Sequence, residues 1–291
     1  MGKKKLVVSF SSGHSSAMLA YMCNEMMSEV YDIVNVMANT GKEDPRSLKF
    51  AQQCNEYFGL NLVMVEAVIN PQKGKGTRHK VVTFETCSRN GEPFEEGIKK
   101  YGIPSADNKW CTRELKLAAI NSYVKNELGW RDYYTAVGIR ADEIDRVSAE
   151  KEKFKLIYPL VEWDVTSKER NAFWDSMPFK LELKAFEGNC DFCFEKTLRK
   201  LMTVAKDRPE AAEWWEEMAS KYGHLKINGK PSYNDRIDSR GRRDFFREHL
   251  SAEEIVKMAT ERDFEPFIDE YKHHDPKLDT GGGCDSGCIL W

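Results

Sequence analysis

A chain of 291 residues has room for one large domain, or for one domain with a smaller appendage. Its hydrophobic content of 41% and charged content of 31% suit a soluble globular protein, and no apolar run is long enough to span a bilayer. The net charge of −3 gives no general case for nucleic-acid binding, which usually shows as a basic balance or patch. The apolar stretch near the N-terminus, Leu6 to Phe10, is too short for a signal-peptide core, and Gly2 lacks the Ser or Thr that a myristoylation signal wants, so the expected location is the cytoplasm.

Residues 6–10 read as a buried strand. They feed Ser11-Ser12-Gly13-His14-Ser15-Ser16, and an amphipathic helix over 15–28 starts at once behind that loop. Small side chains let a ligand approach the backbone closely. The first N–H groups of the helix have no internal partner and the helix dipole favours negative charge there, so a phosphate or pyrophosphate suits the loop. An ordinary serine-capped turn accounts for the same residues equally well. The loop lacks the lysine of a Walker A motif and the later glycines of the dinucleotide fingerprint.

Asp32 to Met37 is a second strand, ending in Ala38-Asn39-Thr40-Gly41-Lys42-Glu43-Asp44-Pro45. A helix over 45–58 follows with Pro45 in its first turn, and Asn61 to Val68 is a third strand. In a parallel sheet with short connections, Asn39, Thr40 and Gly41 stand beside the first loop at the carboxyl ends of the strands. Gly74 to Lys80 is glycine-rich and basic and reads as an exposed loop, and 94–101 as a short helix. Lys109-Trp110-Cys111-Thr112-Arg113-Glu114-Leu115-Lys116 opens a helix to about Leu128, with Thr112 or Asp107 as its cap. A cysteine at a helix start sits in a field that lowers a thiol pKa, and Arg113 and Lys116 add positive charge. Cys111 is a reactive thiol, a cluster ligand or one more half-buried cysteine.

Asp132 to Val137 is a fourth strand, followed by Gly138-Ile139-Arg140-Ala141-Asp142-Glu143-Ile144-Asp145-Arg146, where Arg140 and Arg146 can clamp phosphate or sulfate oxygens. Lys155 to Val161 is a fifth strand, and Ser167 to Ser176 a helix. The expected fold is α/β, a doubly wound parallel sheet of five strands over residues 1–178, with a helical, cysteine-bearing C-terminal extension over 179–291.

The first loop resembles the PP-loop of ATP pyrophosphatases, Ser-Gly-Gly-x-Asp-Ser. Ser11, Gly13 and Ser16 match it, Ser12 replaces a glycine and Ser15 replaces the aspartate. Five blocks also stand in the order and approximate spacing of the phosphoadenosine-phosphosulfate (PAPS) reductase family, a branch of the adenine nucleotide α-hydrolase-like PP-loop superfamily. They are Ser9–Ala17, Asn39–Glu43, Cys111–Lys116, Gly138–Glu143 and Tyr158–Trp163. The resemblance spans residues 6–176, a little under two thirds of the chain. It implies an adenine nucleotide, ATP or PAPS, at the strand carboxyl ends. Ser9, Ser11, Ser12, Gly13, Ser15 and Ser16 would hold its phosphate or sulfate end; Asn39, Thr40, Gly41 and Gly138 would lie beside it. Arg113, Lys116 and Arg140 would face its anionic end.

The second half departs from that family. The Glu-Cys-Gly-Leu-His tail of the sulfate-reducing enzymes is absent, and the chain carries Cys190-x2-Cys193 and Cys284-x3-Cys288 instead. Two close pairs are what four-thiolate coordination needs. A [4Fe–4S] cluster, which relatives in sulfur activation often carry, a structural zinc and a pair of redox dithiols all remain open, as does Cys111 in place of one tail cysteine. Cys23, Cys54 and Cys87 are expected to be core or scattered thiols. Residues 195–222 read as helices and Ser251-Ala252-Glu253-Glu254 as a capping pattern; the basic stretch Arg236 to Arg247, with two phenylalanines, suits nucleic-acid backbone and base contacts, but reads rather as a solvated connector whose phenylalanines start a helix in the core, since the surrounding sequence is acidic. His273-His274-Asp275 carries no metal expectation, because adjacent helical residues point apart.

The implied chemistry is ATP adenylation of an acceptor, with Mg2+ bridging the phosphates, followed by sulfur transfer at the cysteine centre. The alternatives are reduction of PAPS or adenylyl sulfate with Cys111 as nucleophile, and nucleotide binding without catalysis. Expected partners are the adenine nucleotide, a nucleic-acid acceptor or a sulfur-donor protein, and no membrane; the oligomeric state stays open.

Overall fold

The computed structural model describes residues 2–106, 108–188, 190–224, 240–247 and 250–268. Cys284, Cys288, His273, His274, Asp107 and the start of the basic stretch, Arg236 to Ser239, lie outside the described residues.

Six strands form one sheet: β1 (Lys4–Phe10), β2 (Tyr31–Asn39), β3 (Val63–Val68), β4 (Arg78–Val82), β5 (Tyr134–Ala136) and β6 (Leu156–Ile157), in the order β4-β3-β2-β1-β5-β6. All neighbours are parallel except β3 and β4. The expected sheet of five strands is therefore a sheet of six. Residues 78–80, expected in a loop, belong to the added edge strand, where His79 pairs with Ala67 and Val81 with Val65. Arg78 and Lys80 are exposed on that edge, which blunts it against pairing with another chain. At the other edge β6 is only two residues long, because Pro159 cannot donate to the ladder and instead opens the short helix α5 (Pro159–Glu162).

Successive residues of a strand point to opposite faces, and both faces here are buried. Leu6, Val8, Phe10, Met37 and Met64 pack with α1 (His14–Met27), α2 (Pro45–Phe58) and α6 (Ser167–Asp175) through Leu19, Phe50 and Trp174. Val7, Val36 and Val65 pack on the opposite side with α3 (Glu92–Tyr101), α4 (Ala119–Asn126), α7 (Leu198–Asp207), α8 (Glu213–Tyr222) and α9 (Ala252–Glu261). That second cluster joins Val36 of the sheet to Phe192, Trp215 and Phe245. Residues on both sides of position 178 thus share one core. Phe245 and Phe246 enter it, and Ser251 caps α9 with Glu254 in a reciprocal capping box.

Cys23, Cys54 and Cys87 are buried, and burial pushes the Cys23 thiol up to about 12. The helix expected from 109 begins as a π-helix over Thr112–Ala118 with Cys111 at its N-cap, and neither Cys111 nor Thr112 supplies a side-chain cap. Among the described residues no helix is long and apolar enough to cross a membrane.

Candidate functional site

Disregarding the antiparallel edge strand, the order is β3-β2-β1-β5-β6, so the chain reverses direction across the sheet between β1 and β5. In open α/β sheets the ligand crevice lies at the carboxyl ends of the strands flanking that point. The loops meeting there are Ser11–Gly13 after β1 and Gly138–Arg140 after β5.

The first loop is braced from inside. Ser16 Oγ accepts from Ser11 N and Ser11 Oγ, both at 3.0 Å, and donates to the Gly13 carbonyl at 3.0 Å. Ser16 is buried, so it shapes the loop rather than facing a ligand. Ser12 is buried too and has φ +59°, a left-handed conformation that favours glycine. This is the position at which the PP-loop pattern carries glycine. Gly13 is the N-cap of α1 and no side chain caps the helix, so its first N–H groups and its dipole are left for an anion. His14 anchors the turn. Its carbonyl accepts from Trp174 Nε1 at 3.1 Å and its Nε2 accepts from the Leu181 N–H at 3.2 Å. Burial, helped by the charges of Arg170 and Lys180, lowers its pKa to about 4, so the ring is neutral. Ser9 lies half-buried within β1, paired with Val36.

The second loop closes on the first. A Cβ on Gly138 would stand 3.1 Å from both Cα and N of Ser16, so only glycine lets β5 approach the helix start this closely. Arg140 Nη1 donates to Ser15 Oγ at 2.9 Å, while Asp142 and Glu143 hold the same guanidinium at 2.9 and 3.1 Å. Arg146 pairs with Glu143 instead. A second guanidinium, Arg170 of α6, lies one helical turn before Trp174 and therefore on the face that packs against His14. Burial, and then the nearby charge of Arg140, hold its pKa below the usual arginine value. Arg170 was not legible in sequence, since nothing local distinguishes it on its helix.

The loop after β2 turns inward. Asn39 is fully buried; its Nδ2 donates to Glu66 Oε1 (2.6 Å) and the Ser88 carbonyl (2.9 Å), and its Oδ1 accepts from the Gly41 N–H (3.2 Å). Thr40 is bound through N and Oγ1 to Glu43, both at 2.9 Å. Gly41, at φ +82°, lies against the Gly91 backbone. These three residues follow the carboxyl end of β2 with their polar groups satisfied inside the protein. Glu66, a carboxylate inside an otherwise apolar strand, is the sequence signal for that frame: it is fully buried and also meets Lys80 at 2.8 Å.

The same loop carries the cysteine pair on its other side. Glu43 forms a backbone bridge with Cys190, the Asp191 N–H donates to the Lys42 carbonyl at 3.0 Å, and Lys42 Nζ meets Asp191 Oδ2 at 2.8 Å. Thr40 Oγ1 is 3.7 Å from Cys190 Sγ. Cys190 and Cys193 are both buried. Cys111 is half-buried and packs against the cluster that contains them, and Lys109 reaches Glu195 at 2.7 Å. Arg113 points away: it is exposed, paired with Glu114 at 2.8 Å and set over the Tyr101 ring. Lys116 lies half-buried in the π-helix. Among the described residues no three His, Cys, Asp or Glu side chains are grouped to hold a metal. Two buried thiols on one tight turn nevertheless suit half of a four-thiolate centre by their chemistry.

No family model matches the chain. It is 29% identical over 288 residues to an uncharacterized nin region protein, ORF290, of Escherichia phage lambda, covering 98% of this chain and 94% of that one. Two uncharacterized proteins of Methanocaldococcus jannaschii, MJ0066 and MJ0973, are 22% and 23% identical over 76% and 74% of this chain, which spans 42% and 48% of their lengths. Among solved structures, the U34-tRNA thiolase NcsA of Methanococcus maripaludis with its [4Fe–4S] cluster aligns over 80% of this chain and 77% of its own, at TM-score 0.37 and 15% identity. The architecture itself, a mostly parallel α/β sheet with helices on both faces, is that of many nucleotide-binding proteins.

Proposed function

We propose that the chain is an adenine-nucleotide-binding enzyme of sulfur chemistry that adenylates an acceptor with ATP and then passes sulfur to it. The observation that carries this reading is the joining of two features at the carboxyl ends of two neighbouring strands. One is the uncapped start of α1 with Arg140 on Ser15; the other is the buried Cys190–Cys193 turn, bound to the neighbouring β2 loop. β1 and β2 are paired up to Phe10 and Met37, so the two loops leave adjacent strand ends.

In this reading the pyrophosphate end of ATP lies on the first N–H groups of α1. Arg140 and Arg170 meet its charge, and Gly138 leaves room for the chain to close over it. An acceptor oxygen attacks the α-phosphorus; the new P–O bond forms as the bond to the bridging oxygen breaks, and pyrophosphate carries away that electron pair. Backbone amides and guanidinium groups fixed beforehand stabilise the charge that develops. Ser15 does not fit the magnesium role of the aspartate it replaces, since its oxygen already accepts from a guanidinium; Arg140 supplies positive charge there instead. A [4Fe–4S] cluster or zinc would be held by Cys190 and Cys193 with Cys284 and Cys288, and a cluster would supply sulfide-level sulfur; the carbon–sulfur bond would form as the bond from that carbon to the AMP oxygen breaks, and AMP would leave with the electron pair. The cytoplasm is the compartment in which such thiols stay reduced.

Pyrophosphate release from ATP, measured with tRNA, other nucleic acids and small acceptors, tests the reading. Release that depends on one acceptor and falls in Ser15→Ala and Arg140→Ala is expected. ATP binding with no turnover across those acceptors refutes the enzyme. Tighter binding of PAPS than of ATP turns the assignment to a reductase.

A further inference from the structure

Lys196 follows the cysteine pair by three residues and is 2% exposed. Its ammonium donates to the carbonyls of Gly188 at 2.9 Å and Cys190 at 2.8 Å, clasping the turn that carries the first thiol. Among the described residues no carboxylate lies within ion-pair distance of it. The acids nearest in sequence are engaged elsewhere: Asp191 with Lys42 and Trp215 Nε1, Glu195 with Lys109, and Glu187 with Arg46 and Arg208. A buried cation is costly unless opposite charge meets it, and carbonyl dipoles solvate charge without neutralising it. The turn it clasps holds two buried cysteines, which bind metals as thiolates. Each thiolate brought into this core needs positive charge beside it, as the ammonium needs negative charge.

We propose that Lys196 is a positioning residue and the built-in counter-charge of an anionic thiolate centre on Cys190 and Cys193. The proposal rests on reading that pair as metal-binding thiolates.

The test uses the full chain, reduced and stripped of metal, titrated with cobalt(II) alone; the thiolate-to-cobalt absorption band reports sulfur coordination. Wild type is compared with Lys196→Met, Lys196→Gln, Lys196→Arg and the Cys190→Ser/Cys193→Ser double variant. The Gln variant keeps a donor for the carbonyls while removing the charge, and serves if Lys196→Met does not fold. The band is expected to vanish in the double variant. Lys196→Met and Lys196→Gln should weaken cobalt binding by roughly ten- to a hundredfold, the range for losing an outer-shell partner, and Lys196→Arg should keep most of it. Urea unfolding gives a second readout. Removing the charge should destabilise the cobalt-loaded wild type yet leave the double-serine protein unchanged or more stable. Wild-type cobalt affinity in Lys196→Gln, or equal destabilisation in both backgrounds, overturns the counter-charge and leaves a backbone clasp. A wild type without a cysteine-dependent band overturns the metal centre itself, and the Lys196 proposal with it.

Discussion

Gly138→Ala is the sharpest perturbation of the proposed phosphate site, because it adds one methyl and no charge. That methyl would sit 3.1 Å from Cα and N of Ser16 and 3.3 Å from C of Ser15. Comfortable contacts of this kind begin near 3.5 Å, so something must yield by a few tenths of an ångström. The neighbour is backbone and cannot rotate aside. It is pinned by the Ser16 hydrogen bonds and by Trp174 on the His14 carbonyl, so the start of α1 itself has to move. Overpacking of this size costs about 1–2 kcal/mol. The displaced groups are the N–H donors assigned to the phosphates, so ATP affinity should fall about tenfold, equivalent to roughly 1.4 kcal/mol. Urea unfolding and calorimetric ATP titration read the two effects. Gly76→Ala, whose added methyl has no neighbour within 4 Å, should change stability by no more than about 0.5 kcal/mol. A Gly138→Ala protein with wild-type stability and ATP affinity would refute the placement of the anion at the α1 start.

Arg140→Ala should weaken ATP binding by about 1.5–3 kcal/mol, the worth of a hydrogen bond to a charged group, with partial recovery in Arg140→Lys; calorimetry decides. Arg170→Ala should weaken it less, by about 1 kcal/mol at low salt, and the difference should shrink as salt screens the site. Ser12→Gly removes a side chain from a left-handed conformation worth about 1–2 kcal/mol of strain and restores flexibility to the unfolded chain; a net gain of about 0.5 kcal/mol with ATP turnover retained is expected. His14 titrates near 4 in the native protein against 6.5 when unfolded, so as pH falls the unfolded chain takes up the proton first. Its contribution is flat above pH 6.5 and stability drops from there down to about pH 4, by on the order of 3 kcal/mol. His14→Gln should flatten urea unfolding in that window, and an unchanged slope would assign the pH dependence to other groups.

The strands with apolar runs were legible because burial on both faces of a parallel sheet demands such runs, as in Leu6 to Phe10 and Asp32 to Met37. β4 was not, because an edge strand needs only one apolar flank and its charged residues imitate a loop. The site divided along a similar line. The small residues of 11–16 announced a helix start open to a ligand, whereas Gly138 was expected only beside the nucleotide and its fit against Ser16 is a tertiary outcome. Which of those serines face outward depends on Ser16 turning back to Gly13, a local side-chain choice that the serine spacing does not fix. Asn39 and Thr40 follow the end of β2, and Glu66 and Glu43 take up their polar atoms. Arg113 shares a segment with Cys111, but Glu114 beside it and the Tyr101 ring draw it to the surface. Lys196 left only a faint trace, a lysine three residues past a cysteine pair, and its meaning rests on burial.

The β2 loop ties the cysteine turn to the strand next to β1. A loop that contacts ligand usually keeps some polar groups free for it, whereas this one spends Asn39, Thr40 and Lys42 on the protein. Its far end is equally committed. Asp44 caps α2 through the Arg46 N–H and pairs with Arg46 and Arg208, both of which also reach Glu187 just before the cysteine turn. Arg208 closes α7, the helix that begins directly after Lys196, so the network encircles the cysteine turn from both sides. Ion networks anchored on a buried carboxylate such as Asp44 add little net stability, but removing a partner leaves that charge uncompensated, which makes them good at fixing geometry. In the proposed reading, the spacing between the α1 start and the thiols is therefore set by the protein itself. Such prior placement suits the proposed sequence, in which the carbon that bears the adenylated oxygen must next meet the sulfur that displaces AMP.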